Sequence, residues 1–491
     1  MLMQKIQTLA IWSLMIVSFC SATHFPKYHA SIAPLFSRVP LASSTWALEQ
    51  GNPALNRYGS IVTMKPFYQK TLNTKAFRSY FGMPQDDGTF SDHIGVGPDQ
   101  FLKAADVLHD QSVAPTLQEK LFFRPKRSVT GLHLSYFQQL CDISVLCALS
   151  FELPILAVTH SMGLIAKENS FSQQVHGTKV SCFFSELLAG KEIPQGVQKQ
   201  EPLKKMKISA ASLSSVGPSD LTIRFHGLLS YRPERIVDLS IHCLIPFESH
   251  PKGNFLFEPI RGNAGRWGFG GKLEAGAQFF WNNNTTSLHF SGAVQYDYIL
   301  QGVEHRALGY KRRDQTISPW QLYRLAGTRG EKKIEPLANV LTHEVKVKPQ
   351  NRLFCSGFIG IQQHEWQCSI GTELYVQQKE ELCIKRWKND VYNVAAVTYD
   401  TNTIFDPTVD QHPLEGLAQG IKKEDLISEF AVTETLCLQD LYLYVSKLFH
   451  LSEQSTAVLG IGSGFSIAHA DNEKKKIGEK WFVWTRLGII F

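Results

Sequence analysis

The sequence predicts an all-β chain: a transmembrane antiparallel barrel of about twelve strands, with long external loops containing short helices. Three observations predict it. Apolar and polar residues alternate with period two in segment after segment, the mark of strands with one apolar face. The links between those segments alternate strictly between short and long. The final stretch, WFVWTRLGIIF (481–491), keeps alternating to its last residue, with Phe491, Ile489, Leu487 and Val483 on one side.

The front of the chain is an export signal. Lys5 gives a positive start, Leu9 to Cys20 an apolar core, and Cys20-Ser21-Ala22 the small residues a signal peptidase needs, so cleavage is expected after Ala22. The apolar run is short for a membrane anchor of about 20 residues, and bulky Phe19 argues against acylation at Cys20. The expected organisation is a signal peptide at 1–22, a periplasmic or luminal segment at 23–56, and the barrel at 57–491. Charged residues are 19% of the chain and apolar ones 43%, and the net charge is a mild +6, which is not the footprint of a nucleic-acid binder. After the signal no stretch is long and charge-free enough for a membrane helix; Ile143 to Val158 comes nearest, with Glu152 and Pro154 inside it. A barrel strand needs no such run.

The strands sort cleanly into faces. In SDLTIRFHGLLSY, Leu221, Ile223, Phe225, Leu229 and Tyr231 oppose Thr222, Arg224, His226 and Ser230. In RIVDLSIHCLIPF, Val237, Leu239, Ile241, Cys243 and Ile245 oppose Asp238, Ser240 and His242. Trp267, Phe269, Leu273 and Phe279 oppose Arg266, Lys272, Glu274 and Gln278; the next segment sets Leu288, Phe290, Val294, Tyr296 and Tyr298 against His289, Gln295 and Asp297. Trp366, Ile370 and Leu374 then oppose Gln367 and Glu373. Twelve crossings result: 57–70, 128–140, 143–157, 219–231, 235–246, 266–281, 286–301, 351–362, 365–377, 433–450, 455–468 and 481–491. The count is even, and short links follow every second crossing, which puts both ends of the barrel on one side and the long loops on the other. Residues 339–351 also alternate; they are expected to extend the eighth strand above the membrane, interrupted at Pro349. Residues 171–191 and the KKEDLISEF segment have helical spacing, the former either plugging the mouth or packing on the rim. The cysteines lack CxxC spacing, and Cys243 and Cys368 fall on apolar faces, where a thiol serves as a small hydrophobe ahead of a disulfide.

Signal, alternating strands and terminal Phe resemble bacterial outer-membrane β-barrel proteins, porins among them, over about 57–491. PFYQKTLNTKAFRSYFG and GEKWFVWTRLGIIF are similar to uncharacterised outer-membrane proteins of Dependentiae-type bacteria. The resemblance implies the cell outer membrane as the location, outer-membrane lipid as the surroundings, and assembly machinery that reads Leu487, Ile489 and Phe491 as a signal. A monomer is expected.

The expected function is a porin-like channel for passive diffusion of small polar solutes. Its lumen is lined by Arg224, Lys272, Glu274, Asp297, Glu373 and Arg486. Lys311, Arg312 and Arg313 form either a constriction, if their loop folds inward, or a solvated loop tip. The alternative is a non-conducting surface protein whose external loops serve adhesion or a structural role; a salt-bridge lattice filling the bore would favour it. No enzyme, cofactor, metal or nucleic-acid partner is expected. The text nearest a barrel hydrolase motif is THSMGL, but His160 and Ser161 are neighbours on a strand and point to opposite faces. The glycine row Gly460, Gly462 and Gly464 is expected to make room for a bulky inward neighbour such as Trp484.

Overall fold

Period-two alternation puts every apolar set on one surface of a sheet, and a sheet with no free edge leaves no backbone group unpaired in lipid. The computed structural model closes that sheet. It describes residues from Ser60 to Phe491; residues 1–59, 82–119, 311–321, 395–420 and some shorter turns lie outside the described residues. The proposed signal, the 23–56 segment and Lys311, Arg312 and Arg313 therefore fall outside them.

The barrel strands are β1 Ser60–Thr71, β2 Lys126–Ile143, β3 Val145–Ser161, β4 Leu221–Arg232, β5 Arg235–Ile245, β6 Gly268–Trp281, β7 Thr286–Ile299, β8 Asn351–Gln363, β9 Trp366–Gln377, β10 Leu436–Ser452, β11 Ser455–Ala468 and β12 Lys480–Ile490. Each pairs antiparallel with the next, and β12 returns to β1, with Ile490 opposite Ile61 and Trp484 opposite Phe67. A further strand, Leu213–Pro218, pairs with the upper half of β3 above β4. Every crossing read from the sequence coincides with one of the twelve. The strand ends joined by the shortest links lie at one rim, and the long loops leave from the other.

The outer surface is apolar where a water-soluble sheet would be polar. Ile241, Ile370 and Ile461 are 65%, 63% and 62% exposed, and Leu239, Leu273, Val294 and Leu443 accompany them at mid-height. Trp267, Phe269, Tyr296 and Tyr298 ring the long-loop side, and Phe279, Trp366 and Phe449 the short-turn side. An apolar band between aromatic girdles is the surface of a barrel embedded in lipid.

Above the barrel the long loops build a cap with its own core. Phe81, Met162, Leu188, Ile208, Phe257, Tyr323, Leu337 and Phe430 are among its buried side chains. The short helix Leu337–Leu341 buries Leu337, Ala338, Val340 and Leu341 in it, and the Tyr323 hydroxyl donates to the Met206 carbonyl at 2.7 Å. Strand Thr342–Lys348 pairs with Gly302–Ala307 and Glu381–Cys383, and it leads into β8 as an extension above the barrel.

Two helical expectations hold only in part. Residues 171–182 form a hairpin, Phe171–Val175 with Thr178–Cys182, in register Val175 to Thr178, and helical backbone comes only after it, at Glu186 and Leu188. The His176-Gly177 pair suits a two-residue turn and the β-branched residues beside it favour strand. KKEDLISEF gives two 3-10 turns, Lys423–Asp425 and Glu429–Ala431, around the two-residue strand Leu426–Ile427, which pairs with Gly309–Tyr310. A bulge between Leu228 and Ser230 also shifts the end of β4, pairing Ser230 with Val237 and Tyr231 with Ile236.

Candidate functional site

The inner face divides into two unlike walls. Along β1, β2, β3, β10 and β12 it is aromatic and aliphatic: Phe67, Val129, Leu156, Val158, Tyr442, Tyr444, Phe482 and Trp484 pack as one cluster. The glycine row of β11 makes this packing feasible. A methyl group at Gly460 would overlap Tyr444, at Gly462 the Trp484 indole, and at Gly464 Phe482.

The opposite wall, on β4 to β9, carries charge. Arg224, Lys272, Glu274, Asp297 and Glu373 all point inward and are buried, as is Arg486 from β12. Lys272 Nζ donates to Glu274 Oε2 at 2.5 Å, and Glu274 lies directly across from Asp238 on β5. His242 Nε2 and Asp297 Oδ1 are 2.9 Å apart, and Gln295 donates to the same carboxylate oxygen at 2.9 Å. Arg224 Nη2 donates to Gln295 Oε1 at 3.3 Å and lies 3.8 Å from Glu152 Oε1. Five of these six candidates, all but Glu274, line one cavity of about 300 Å³. That cavity runs from Ile61 and Phe137, near the short-turn rim, to Thr71, Gly478 and Lys480 at the long-loop rim.

Its lower end is apolar. Ile61, Phe137, Ala148, Val458 and Ile490 form a buried cluster on the inner face near the short turns, with Leu228 and Ile236 also buried at that end. At the upper end the cap is clamped by buried charges. Arg266 Nε lies 3.1 Å from Glu304 Oε1 and its Nη2 lies 3.2 Å from Glu380 Oε1, while Arg306 Nη2 reaches Glu304 Oε2 at 2.7 Å. Arg306 Nη1 donates to the Ala431 carbonyl at 2.9 Å, and the Thr433 amide donates to Glu380 Oε2 at 2.9 Å. Burial pushes the Glu380 carboxyl up, but Arg306 and Arg266 outweigh it and hold it below the ordinary carboxylate range. By the same pairing Arg306 is raised: burial pushes it down, and Glu304 and Glu380 more than reverse that.

His160 and Ser161 do not meet. His160 is buried with its ring stacked on Phe257 at 4.0 Å, and Ser161 Oγ accepts from the Gly163 amide at 3.1 Å. A different set does converge. Ser150 Oγ lies 2.8 Å from His226 Nε2, and His226 Nδ1 lies 2.9 Å from Asp238 Oδ2. Alternation places His226 and Asp238 on the inner face, but Ser150 joins them only through the β3–β4 pairing that closes the sheet, across a chain separation of 76 residues. Leu487, Ile489 and Phe491 face outward and are exposed, and the Phe491 backbone exchanges two 3.1 Å hydrogen bonds with Ser60. Cys243 and Cys368 are free thiols on the outer face.

No family model matches the sequence, and no curated protein matches it. Among solved structures the chain is similar to an outer-membrane channel from Pseudomonas putida F1, at 11% identity over 88% of this chain and 96% of that one, with a TM-score of 0.36. It is also similar to the β domain of the Bordetella autotransporter BrkA, at 7% identity over 88% of this chain and 100% of that one, TM-score 0.32. A third is a FadL homologue of Pseudomonas aeruginosa, 8% identical over 88% of this chain and 90% of that one, TM-score 0.27. At these identities the function has to be read from the chain's own residues.

Proposed function

We propose that this chain is a bacterial outer-membrane barrel of channel type, which admits small polar solutes from the long-loop side and is held shut at the short-turn side. The observation that carries this is the cavity of about 300 Å³, running through the lumen beside charges of both signs. Arg224, Lys272, Asp297, Glu373 and Arg486 replace water around an entering solute, which is how charged rings tune passage. The long-loop rim faces outside and the short turns face the periplasm, as in barrels of this topology. Leu487 and Ile489 on β12, with Phe491 just after it, are the surface that the barrel assembly machinery reads.

The apolar layer of Ile61, Phe137, Val458 and Ile490 is the gate. In planar bilayers the wild-type protein gives brief, small current steps, and Ile61→Ser with Phe137→Ala gives larger and longer ones. A floor variant that inserts stably and stays silent overturns the channel. The second reading, a non-conducting surface protein displaying its loops, is favoured by the cap, whose apolar core and buried Arg–Glu clamp are more than a bare loop tip needs.

A further inference from the structure

The lumen holds an arrangement that solute passage does not use. Ser150, His226 and Asp238 project inward from β3, β4 and β5, and all three are buried. An ionised carboxylate only accepts hydrogen bonds, so Asp238 assigns the imidazole proton to Nδ1 and leaves Nε2 as an acceptor. With that tautomer, assigned from the network, the Ser150 hydroxyl donates to Nε2 across 2.8 Å. The order is nucleophile, base and orienting carboxylate, each within hydrogen-bond reach of the next.

Two further observations separate this set from a polar layer that merely fills a bore. Ser150 and His226 both line the cavity, so the pair borders open space in the lumen. Arg224 is the direct cross-strand partner of Ser150, and its buried Nε has no hydrogen-bond partner among the described residues. A guanidinium N–H left unpaired in a buried site costs free energy unless something occupies it. Arg224 lies across the strand from Ser150 and lines the same cavity, where the oxygen of a tetrahedral intermediate needs a donor.

We propose that the lumen contains a serine esterase site, with Ser150 as nucleophile, His226 as general base and acid, Asp238 as positioning residue and Arg224 as oxyanion donor. Its substrate class is short-chain acyl esters of small polar alcohols. The cavity sits at the lower edge of the roughly 300–1,000 Å³ of small-molecule sites. Ile61 and Phe137 offer an apolar end for the acyl chain, and Arg224, Lys272 and Gln295 a polar side for the alcohol. Ser150 Oγ bonds to the ester carbonyl carbon while its proton passes to His226 Nε2. The carbon–oxygen bond to the alcohol then breaks, and the alcohol leaves with that proton. Water, deprotonated by His226, attacks the acyl-serine, and release of the carboxylic acid restores Ser150.

The test uses the refolded full chain in detergent micelles, where no conduction is needed, so a silent bilayer experiment leaves it untouched. The probes are phenylmethanesulfonyl fluoride, whose S–F bond a nucleophilic serine displaces, and p-nitrophenyl acetate. The expected result is sulfonylation mapped to Ser150 by peptide mass, with ester turnover that sulfonylation abolishes. Ser150→Ala removes both while keeping the wild-type heat-dependent gel migration that reports a folded barrel. Asp238→Asn lowers kcat and labelling rate on the order of 10²-fold or more with KM little changed, because it misassigns the imidazole tautomer. A folded wild-type protein with Ser150 unlabelled and no turnover overturns the proposal. So does equal labelling of wild type and Asp238→Asn.

Discussion

Each inward residue is held by what lies across the lumen, which makes single substitutions costly in different ways. At Gly462 the neighbour is the Trp484 indole, fixed between Tyr444 and Phe482 in near-parallel stacks. Gly462→Val overpacks this wall and is expected to destabilise by about 1–3 kcal/mol, read as a lower urea midpoint in lipid; Ser463→Val on the exposed outer face should cost nothing comparable. Lys272 shows the electrostatic counterpart. Removing it leaves Glu274 buried beside Asp238, so Lys272→Met is expected to cost about 3–5 kcal/mol. Lys272→Met with Glu274→Gln should recover much of that loss, and a double variant no better than the single would mean that the pair is not coupled. At this scale alternation singles out Arg224, Lys272, Glu274, Asp297, Glu373 and Arg486 by parity, and all six are buried. The partnerships were not legible. Ser150 meets His226 because β3 closes on β4, and that register, Ser150 opposite Arg224, follows from no local pattern.

Elements were legible where both faces leave a trace in the sequence and illegible where they do not. A barrel strand repeats its alternation over ten residues or more, so all twelve could be placed. A cap segment buries whatever meets the common core, which is why helical spacing read over 171–191 does not exclude a hairpin at 171–182. The bulge in β4 adds one residue to one strand and shifts the register beyond it, with nothing in Leu228-Leu229-Ser230 to announce it. Between cap and barrel, the charge clamp makes a pH prediction with a definite sign. Glu380 is held below its ordinary 4.5 in the folded protein. Its contribution is therefore present above about pH 4.5 and lost as the pH falls through the folded value. Glu380→Gln should destabilise the cap by about 3–5 kcal/mol near pH 6, with the gap to wild type closing below pH 4. Asp220, at the long-loop rim, runs the other way: burial raises it from 3.8 to about 7, against the pull of Arg352 and the Asn263 amide. Its contribution is full below pH 3.8 and disappears as the pH rises through 7. Asp220→Asn is expected to stabilise relative to wild type at pH 8 and to lose that advantage as the pH falls toward 3.8, as measured by cap proteolysis.

For the whole molecule the decisive contrast is between an apolar outside and a charged inside, the inverse of a soluble barrel. That inversion is stable only if the solvent outside is hydrocarbon, and it then predicts a depth profile. Ile461 and Leu273 sit midway along β11 and β6, whereas Trp366 opens β9 beside a short turn with Lys447 over its ring at 5.4 Å. Arginine at a lipid-facing midplane position costs about 2–4 kcal/mol and near an interface about 0–1, because only the interfacial guanidinium reaches water. Ile461→Arg and Leu273→Arg are therefore expected to lower the unfolding free energy in lipid vesicles by the larger amount, and Trp366→Arg by much less. Equal, small costs at all three positions would mean that water bathes the band, and the membrane assignment would fall with it. A cost that peaks at Ile461 and Leu273 and fades toward both rims would place the midplane at their level. It would set the Ser150–His226–Asp238 layer, which Asp238 ties to β6 through its register with Glu274, one residue from Leu273, inside the lipid-spanning height of the wall.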